Sequence, residues 1–166
     1  SGSVVLVHGF LRSRMNMSAI EYTLHQDDWE VLNWGYPSRK KSIQDHSAAL
    51  VLELKNISQK NPGKPISFVT HSMGGLVVRG ALNNPDCPPE AKIGRAVLIA
   101  PPNRGSCYAR FLSNYALIRW YVGEKSGKEL LSTPVDGFDH IGNFPDGMPI
   151  LVIGGTVGWN PSIEGV

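Results

Sequence analysis

The sequence has 166 residues, of which 42% are hydrophobic and 18% are charged, and its formal net charge is +2. A chain of this length and apolar content forms one compact domain and is too weakly charged to be disordered. The densest basic cluster, Arg39-Lys40-Lys41, is typical of a solvated loop and not of a nucleic-acid interface. No apolar run approaches the roughly 18 to 20 residues that span a bilayer. Composition therefore excludes a membrane span and disfavours a nucleic-acid partner.

Short apolar runs alternate with longer amphipathic segments along the chain. Strands are predicted at 4–7, 31–34, 67–70, 96–100 and 150–153. Helices are predicted within 16–25, over 42–59 and directly after Ser72. Strands that are apolar on both faces and separated by helices are typical of a parallel sheet covered on both sides. The fold class is therefore α/β, a mostly parallel central sheet with helices on both faces, in a single domain spanning 4–166.

The connection between the last two predicted strands is much longer than the usual few residues. It is rich in aromatic and aliphatic side chains, too many to share one helical stripe. We expect an insertion at about 103–148, either an extra helix packed on the domain or a lid whose apolar face covers a site for an apolar ligand. The two interpretations are compatible.

The two cysteines, Cys87 and Cys107, are too few for a disulfide framework. They either form one bridge or remain free, and we expect free thiols. Disulfides are therefore not expected to be the basis of the fold.

The most informative segment is 66–76, in which an apolar strand meets Ser72 and then a glycine-rich helix start. A nucleophile elbow has this arrangement, because a sharp turn exposes the serine Oγ at the carboxyl end of the sheet and needs small neighbours such as Gly74. Thr70 stands where the first glycine of such a motif is usual. The alternative is that Ser72 is merely a helix N-cap.

A second motif, His8-Gly9-Phe10, follows the first predicted strand. This is the position from which a second donor to an oxyanion is expected. The sequence therefore predicts Ser72 as a nucleophile, with the backbone N–H groups of Phe10 and Met73 as the oxyanion hole.

On these motifs the sequence resembles the α/β-hydrolases, and within them the small bacterial lipases and esterases. The segments that carry the resemblance are 4–10, 34–38, 70–76 and 97–102, and it extends from about residue 4 to 154. It implies ester hydrolysis through an acyl-enzyme on Ser72, without a metal or cofactor. The expected partner is a small-molecule or lipid ester with an apolar acyl group, with transient contact to a lipid surface.

The acid and the base of a catalytic triad are harder to assign. In the family the order along the chain is serine, acid, histidine, with the histidine after the last strand. His140 precedes the last predicted strand, so we expect a surface or cap histidine there and keep it only as a candidate base. Glu164 is the candidate acid. We expect the true acid and histidine beyond Val166, which would make the sequence a fragment or leave a C-terminal stretch unrecorded. Otherwise the serine is vestigial.

Three other functions stay open. An acyltransferase or a thioesterase would use the same serine, because the elbow is common to all of these enzymes. A non-catalytic pseudohydrolase would instead hold an apolar ligand under the insertion.

Overall fold

A computed structural model describes residues 2–10, 12–100 and 139–154. Five strands lie within these ranges: β1 (Ser3–Val7), β2 (Glu30–Trp34), β3 (Ile66–His71), β4 (Ala96–Ile99) and β5 (Ile150–Ile153). Three α-helices accompany them: α1 (Ser18–Gln26), α2 (Ile43–Lys60) and α3 (Gly74–Leu82). Short 3₁₀ turns cover Arg14–Met17, Pro89–Ala91 and Asp139–Ile141. The predicted alternation of strands and helices is confirmed.

The five strands form one sheet in the order β2-β1-β3-β4-β5, and every neighbouring pair is parallel. In this sheet β1 lies between β2 and β3, so that Val7 is paired with both Trp34 and Thr70. Because parallel strands end at the same edge, the loops that follow β1, β2 and β3 lie side by side. Phe10, Ser72 and Met73 of the predicted site lie in the segments that leave the sheet at this edge.

Each face of the sheet carries its own apolar core. Val5 and Val7 of β1 point into the larger core, which includes the buried faces of α2 and α3. Val4 and Leu6, the alternate residues of the same strand, pack with Met17 and the apolar side of α1. Because all four side chains are at most 4% exposed, β1 is the buried centre of the domain. Helices on both faces are thereby confirmed.

Helix α2 begins where the sequence places it. The Ser42 side chain accepts from the Asp45 N–H at 3.1 Å, and the Asp45 carboxylate accepts from the Ser42 N–H at 3.2 Å, a capping box. Further along, the Ser47 hydroxyl donates to the Val77 carbonyl of α3 at 2.9 Å. A Cβ on Gly80 would overlap Ser47, so a glycine is needed where the two helices approach.

The segment 139–149 returns the chain to β5 along helix α3. Arg79 donates from Nε and Nη2 to the Gly142 carbonyl at 2.9 and 2.7 Å, and the Asn83 side chain donates to the Asn143 carbonyl at 2.7 Å. The rest of the predicted insertion lies outside the described residues, as do Cys107 and Glu164. Cys87 is a free, buried thiol, and burial raises its pKa to about 11. In the described ranges, no helix is long and apolar enough to cross a membrane.

Candidate active site

Ser72 occupies a strained turn at the centre of the sheet edge. It lies between the end of β3 and the start of α3, and its φ of +51° is in the left-handed region that non-glycine residues rarely adopt. Its N–H donates to the Ile99 carbonyl at 2.9 Å, which fastens the turn to β4. A strand, a strained serine and a helix start are the parts that a nucleophile elbow needs.

Two glycines let the loop after β1 approach this turn. A Cβ on Gly9 would lie 2.9 Å from His71 Nδ1 and 3.0 Å from Ser72 Cβ. A Cβ on Gly74 would overlap the carbonyl oxygen of Val7 at the end of β1. The structure therefore brings the His8-Gly9-Phe10 segment against Ser72.

Two backbone N–H groups in the segments that form this turn have no partner among residues 2–10, 12–100 and 139–154. The side chains of Phe10 and Met73 are buried, at 1% and 0% exposure. In the described part of the chain, neither the Phe10 N–H nor the Met73 N–H donates a hydrogen bond. Buried backbone donors are nearly always paired, so two unpaired ones on either side of a serine leave a place for an anionic oxygen.

The ring of His8, in the loop after β1, is held by Tyr36, which lies in the loop after β2. The two rings stack with centroids 4.3 Å apart, and the Tyr36 hydroxyl donates to the His8 carbonyl at 2.7 Å. Trp34 stacks on Tyr36 at 4.7 Å, and His46 of α2 meets its edge at 4.8 Å. Burial lowers the pKa of both histidines and raises the pKa of the Tyr36 phenol.

Neither Tyr36 nor His46 was predicted to belong to this region. One signal was available for His46: it lies three positions after Ile43 and four before Leu50, on the apolar stripe of α2. A histidine on such a stripe is buried against the sheet, and here it is 1% exposed. No comparable pattern indicates that Tyr36 reaches the loop after β1.

A cleft of about 290 Å³ opens beside the turn, on the α1 side of the sheet. His71 and Arg12 supply polar groups, and the apolar lining comes from Met17, Ile20 and Ile99. Burial lowers the pKa of His71, and the neighbouring charge of Arg12 lowers it further. The cleft thus combines an apolar wall with the charge of Arg12, and it reaches His71, the residue before Ser72.

The two candidates for the acid and the base are not brought to Ser72. His140 is exposed and lines a groove with Ser47 of α2, Gly80 of α3 and Asn83, which directly follows α3. The Ser72 hydroxyl makes no hydrogen bond to any residue in the ranges that the structure describes, His140 included. Glu164 lies outside those ranges. The partner that would deprotonate Ser72 is therefore not among the described contacts.

Metal binding has no candidate in the described residues. No group of three or more His, Cys, Asp or Glu side chains there is arranged to hold an ion.

The parallel sheet, its helices on both faces and the serine-bearing turn after its central strand define an α/β-hydrolase fold. Residues 3–99 match the model of the family described as "Putative serine esterase (DUF676)". The chain belongs to this serine esterase family. No curated protein matches it significantly in sequence.

Solved structures share the fold. A mature lipase from Bacillus licheniformis, BlEst2, superposes with a TM-score of 0.67 at 20% identity, over 89% of this chain and 60% of the lipase. Phospholipase PlaB from Legionella pneumophila gives 0.65 at 16% identity, over 95% of this chain and 39% of its own. A monoacylglycerol lipase from Paleococcus ferrophilus superposes with a TM-score of 0.63 at 18% identity, over 94% of this chain and 74% of the lipase. The chain thus spans less than two thirds of the first two of these proteins.

Proposed function

We propose that this serine esterase hydrolyses apolar acyl esters through a covalent intermediate on Ser72. Ser72 Oγ adds to the ester carbonyl while its proton passes to a base. The tetrahedral intermediate collapses by breaking the acyl C–O bond, the alcohol leaves with a proton, and water then releases the acid from the serine.

One observation carries the assignment of the site. The Phe10 and Met73 N–H groups flank a strained serine and have no partner among the described residues. In this position they would donate to the oxyanion that forms from the carbonyl oxygen. Each such donor contributes about 10² to 10³ in rate in enzymes where one has been removed.

We place the triad acid and histidine outside the described residues. The described neighbours of Ser72 supply neither, and the match to longer lipases covers only part of those proteins. Glu164 remains the candidate acid, and His140 the candidate base only if its segment moves from the α2–α3 groove. Our proposed organisation also remains a single domain, 4–166, with an insertion at about 103–148.

The cleft that reaches His71, the residue before Ser72, supports an apolar substrate. Met17, Ile20 and Ile99 give it an apolar wall that can cover a hydrocarbon chain. The description of three structural neighbours as lipases or phospholipases supports an ester of this kind.

The rim of the same edge favours contact with a lipid surface. The loop after β1 carries Arg12 and Arg14, and the loop after β2 carries Arg39-Lys40-Lys41. Neither loop, over 8–17 and 35–42, contains an acidic residue. Met15, between the arginines, is 78% exposed. Cationic groups around an exposed apolar side chain suit an anionic lipid interface.

The full-length gene product tests the proposal, with Ser72→Ala as the matched variant. We expect one fluorophosphonate adduct by intact mass, its loss in Ser72→Ala, and a fall in ester hydrolysis of up to about 10⁶-fold. Labelling that persists in Ser72→Ala would place the nucleophile elsewhere. Labelling without hydrolysis, together with acyl transfer or thioester cleavage, would favour the acyltransferase or thioesterase alternative. A protein that binds an apolar ester but never labels would be a pseudohydrolase.

A further inference from the structure

The hydrogen bonds around His8 define which of its ring nitrogens carries the proton. Nδ1 lies 2.9 Å from the Gly9 carbonyl oxygen, and the Tyr36 N–H points at Nε2 over 3.4 Å. Only an N–H can face a carbonyl, and only a lone pair can face another N–H. The arrangement therefore requires the neutral ring with its proton on Nδ1.

This ring holds the peptide that precedes Phe10. The Gly9 carbonyl accepts from His8 Nδ1 and also from the Arg12 N–H at 3.2 Å. The Gly9–Phe10 peptide is trans, so its carbonyl and its N–H point in opposite directions. Fixing the carbonyl oxygen from one side fixes the direction of the Phe10 N–H on the other side.

Tyr36 holds His8 at two points. Its N–H meets the ring and its hydroxyl meets the His8 carbonyl, so both the side chain and the backbone of His8 are fixed to the loop after β2. Trp34 and His46 pack on the face and edge of the Tyr36 ring, which cannot turn away without disturbing a buried cluster.

We propose that His8 and Tyr36 are positioning residues: they orient the Gly9–Phe10 peptide so that the Phe10 N–H is aimed at the oxyanion formed on Ser72. The inference rests on the proposed function, because the hole matters only if Ser72 reacts. Tyr36 does not line the cleft, and His8, which does, is only 1% exposed. Their effect is expected in kcat and not in KM, since the oxyanion exists only in the transition state and the intermediate.

The kinetic test compares three variants of the full-length gene product. His8→Leu removes the Nδ1 donor, Tyr36→Phe removes the hydroxyl, and His8→Asn keeps an N–H donor near the Nδ1 position. We expect kcat to fall about tenfold to a hundredfold in His8→Leu, less than the loss of a whole donor, with KM changed less than about twofold. Tyr36→Phe should fall less, and His8→Asn should recover most of the loss.

Matched controls separate positioning from general damage. Tyr22 is 68% exposed on α1, so Tyr22→Phe removes a hydroxyl far from the loop. His25→Leu removes an exposed imidazole from the same helix. Both should leave kcat unchanged. If kcat is unchanged in His8→Leu and Tyr36→Phe, or if KM changes instead of kcat, the positioning role is wrong.

A second measurement does not depend on turnover. The imidazole ¹⁵N shifts of His8 in the wild-type protein should show the Nδ1–H tautomer at neutral pH. An Nε2–H tautomer or an imidazolium there would overturn the proposal even in an active enzyme. If the protein is inactive but shows the Nδ1–H tautomer, the proposed function is wrong, whereas the hydrogen bond from His8 Nδ1 to the Gly9 carbonyl is supported. Should His8→Leu fail to fold, Tyr36→Phe and the ¹⁵N shifts still decide the question.

Discussion

Gly74 and Val7 approach so closely that a Cβ on Gly74 would overlap the Val7 carbonyl oxygen. Gly74 is the first residue of α3, and Val7 is the last residue of β1. The contact joins the serine turn to the loop that carries the Phe10 N–H. The small residue two positions after Ser72 is thus needed for assembling the two halves of the site and not only for the turn itself.

Replacing this glycine should therefore be costly. In Gly74→Ala we expect the free energy of unfolding to fall by about 1 to 3 kcal/mol, because a backbone carbonyl cannot move aside as a flexible side chain can. Urea denaturation measures the change. Gly35→Ala is the matched control, since a Cβ there would meet nothing nearer than 3.6 Å. It should stay within about 0.5 kcal/mol of the wild type. Equal effects at the two sites would contradict the argument.

Thr70 gives a prediction of the opposite sign. Its hydroxyl is buried and has no hydrogen-bond partner in the described structure. Thr70→Val keeps the shape of the side chain and removes the unpaired group, so we expect stability to rise by about 1 kcal/mol. Ser47→Ala is the comparison, because the Ser47 hydroxyl is buried but donates to Val77 at 2.9 Å. That variant should lose about 1 kcal/mol. Destabilisation by Thr70→Val in urea melts would show that the hydroxyl has a partner in solution.

Stability should fall as the solution becomes acidic. Burial lowers the pKa of His8, His46 and His71 in the folded protein, whereas the unfolded chain takes up these protons near pH 6.5. Below that pH the unfolded state binds more protons than the folded state, so the stability present above pH 6.5 is progressively lost. Thermal melts between pH 8 and 5 measure the effect.

The contribution of His46 to this loss of stability can be measured by substitution. Among the charges around His46, Asp45 opposes the lowering of its pKa and Lys41 adds to it. His46→Gln removes one buried titrating group, so the decline of the melting temperature with acidification should become shallower. His25→Gln controls for replacing a helical histidine at an exposed position. A slope that His46→Gln leaves unaltered would assign the acid sensitivity to other groups.

The basic rim predicts binding to anionic vesicles. Removing three of its charges, in Arg12→Gln combined with Lys40→Gln and Lys41→Gln, should weaken binding to phosphatidylglycerol vesicles by up to about a hundredfold, or about fivefold for each charge. Binding to phosphatidylcholine should change little. The control triple, Lys60→Gln with Lys64→Gln and Lys92→Gln, removes exposed charges at the opposite edge of the sheet. Vesicle sedimentation distinguishes the two, and equal losses would assign binding to net charge alone.

Much of the fold was predictable because its signals are local. The apolar stripe of α2 predicts that helix to within a residue of its observed start. The strands are short apolar runs bounded by loops, and all five begin and end within one residue of the predicted bounds. The positions of Ser72 and Gly74 also follow from one continuous segment.

The parts of the site that could not be predicted involve residues far apart in the sequence. Tyr36 reaches His8 only because β2 and β1 are neighbours in the sheet, and no sequence pattern near position 36 predicts that pairing. His140 is the opposite case. A histidine has the chemistry of a base, but this one lies in the groove between α2 and α3.

The sequence by itself determined the strand–serine–helix segment, the glycine that follows it and the α/β class, because periodicity and turn chemistry act over a few residues. Only the tertiary structure decided that the Gly9 carbonyl is held by a buried histidine and that the loop carrying Phe10 packs against the turn at Ser72. Those relationships arise from the parallel order of strands, which gathers the ends of distant segments at one edge of the sheet.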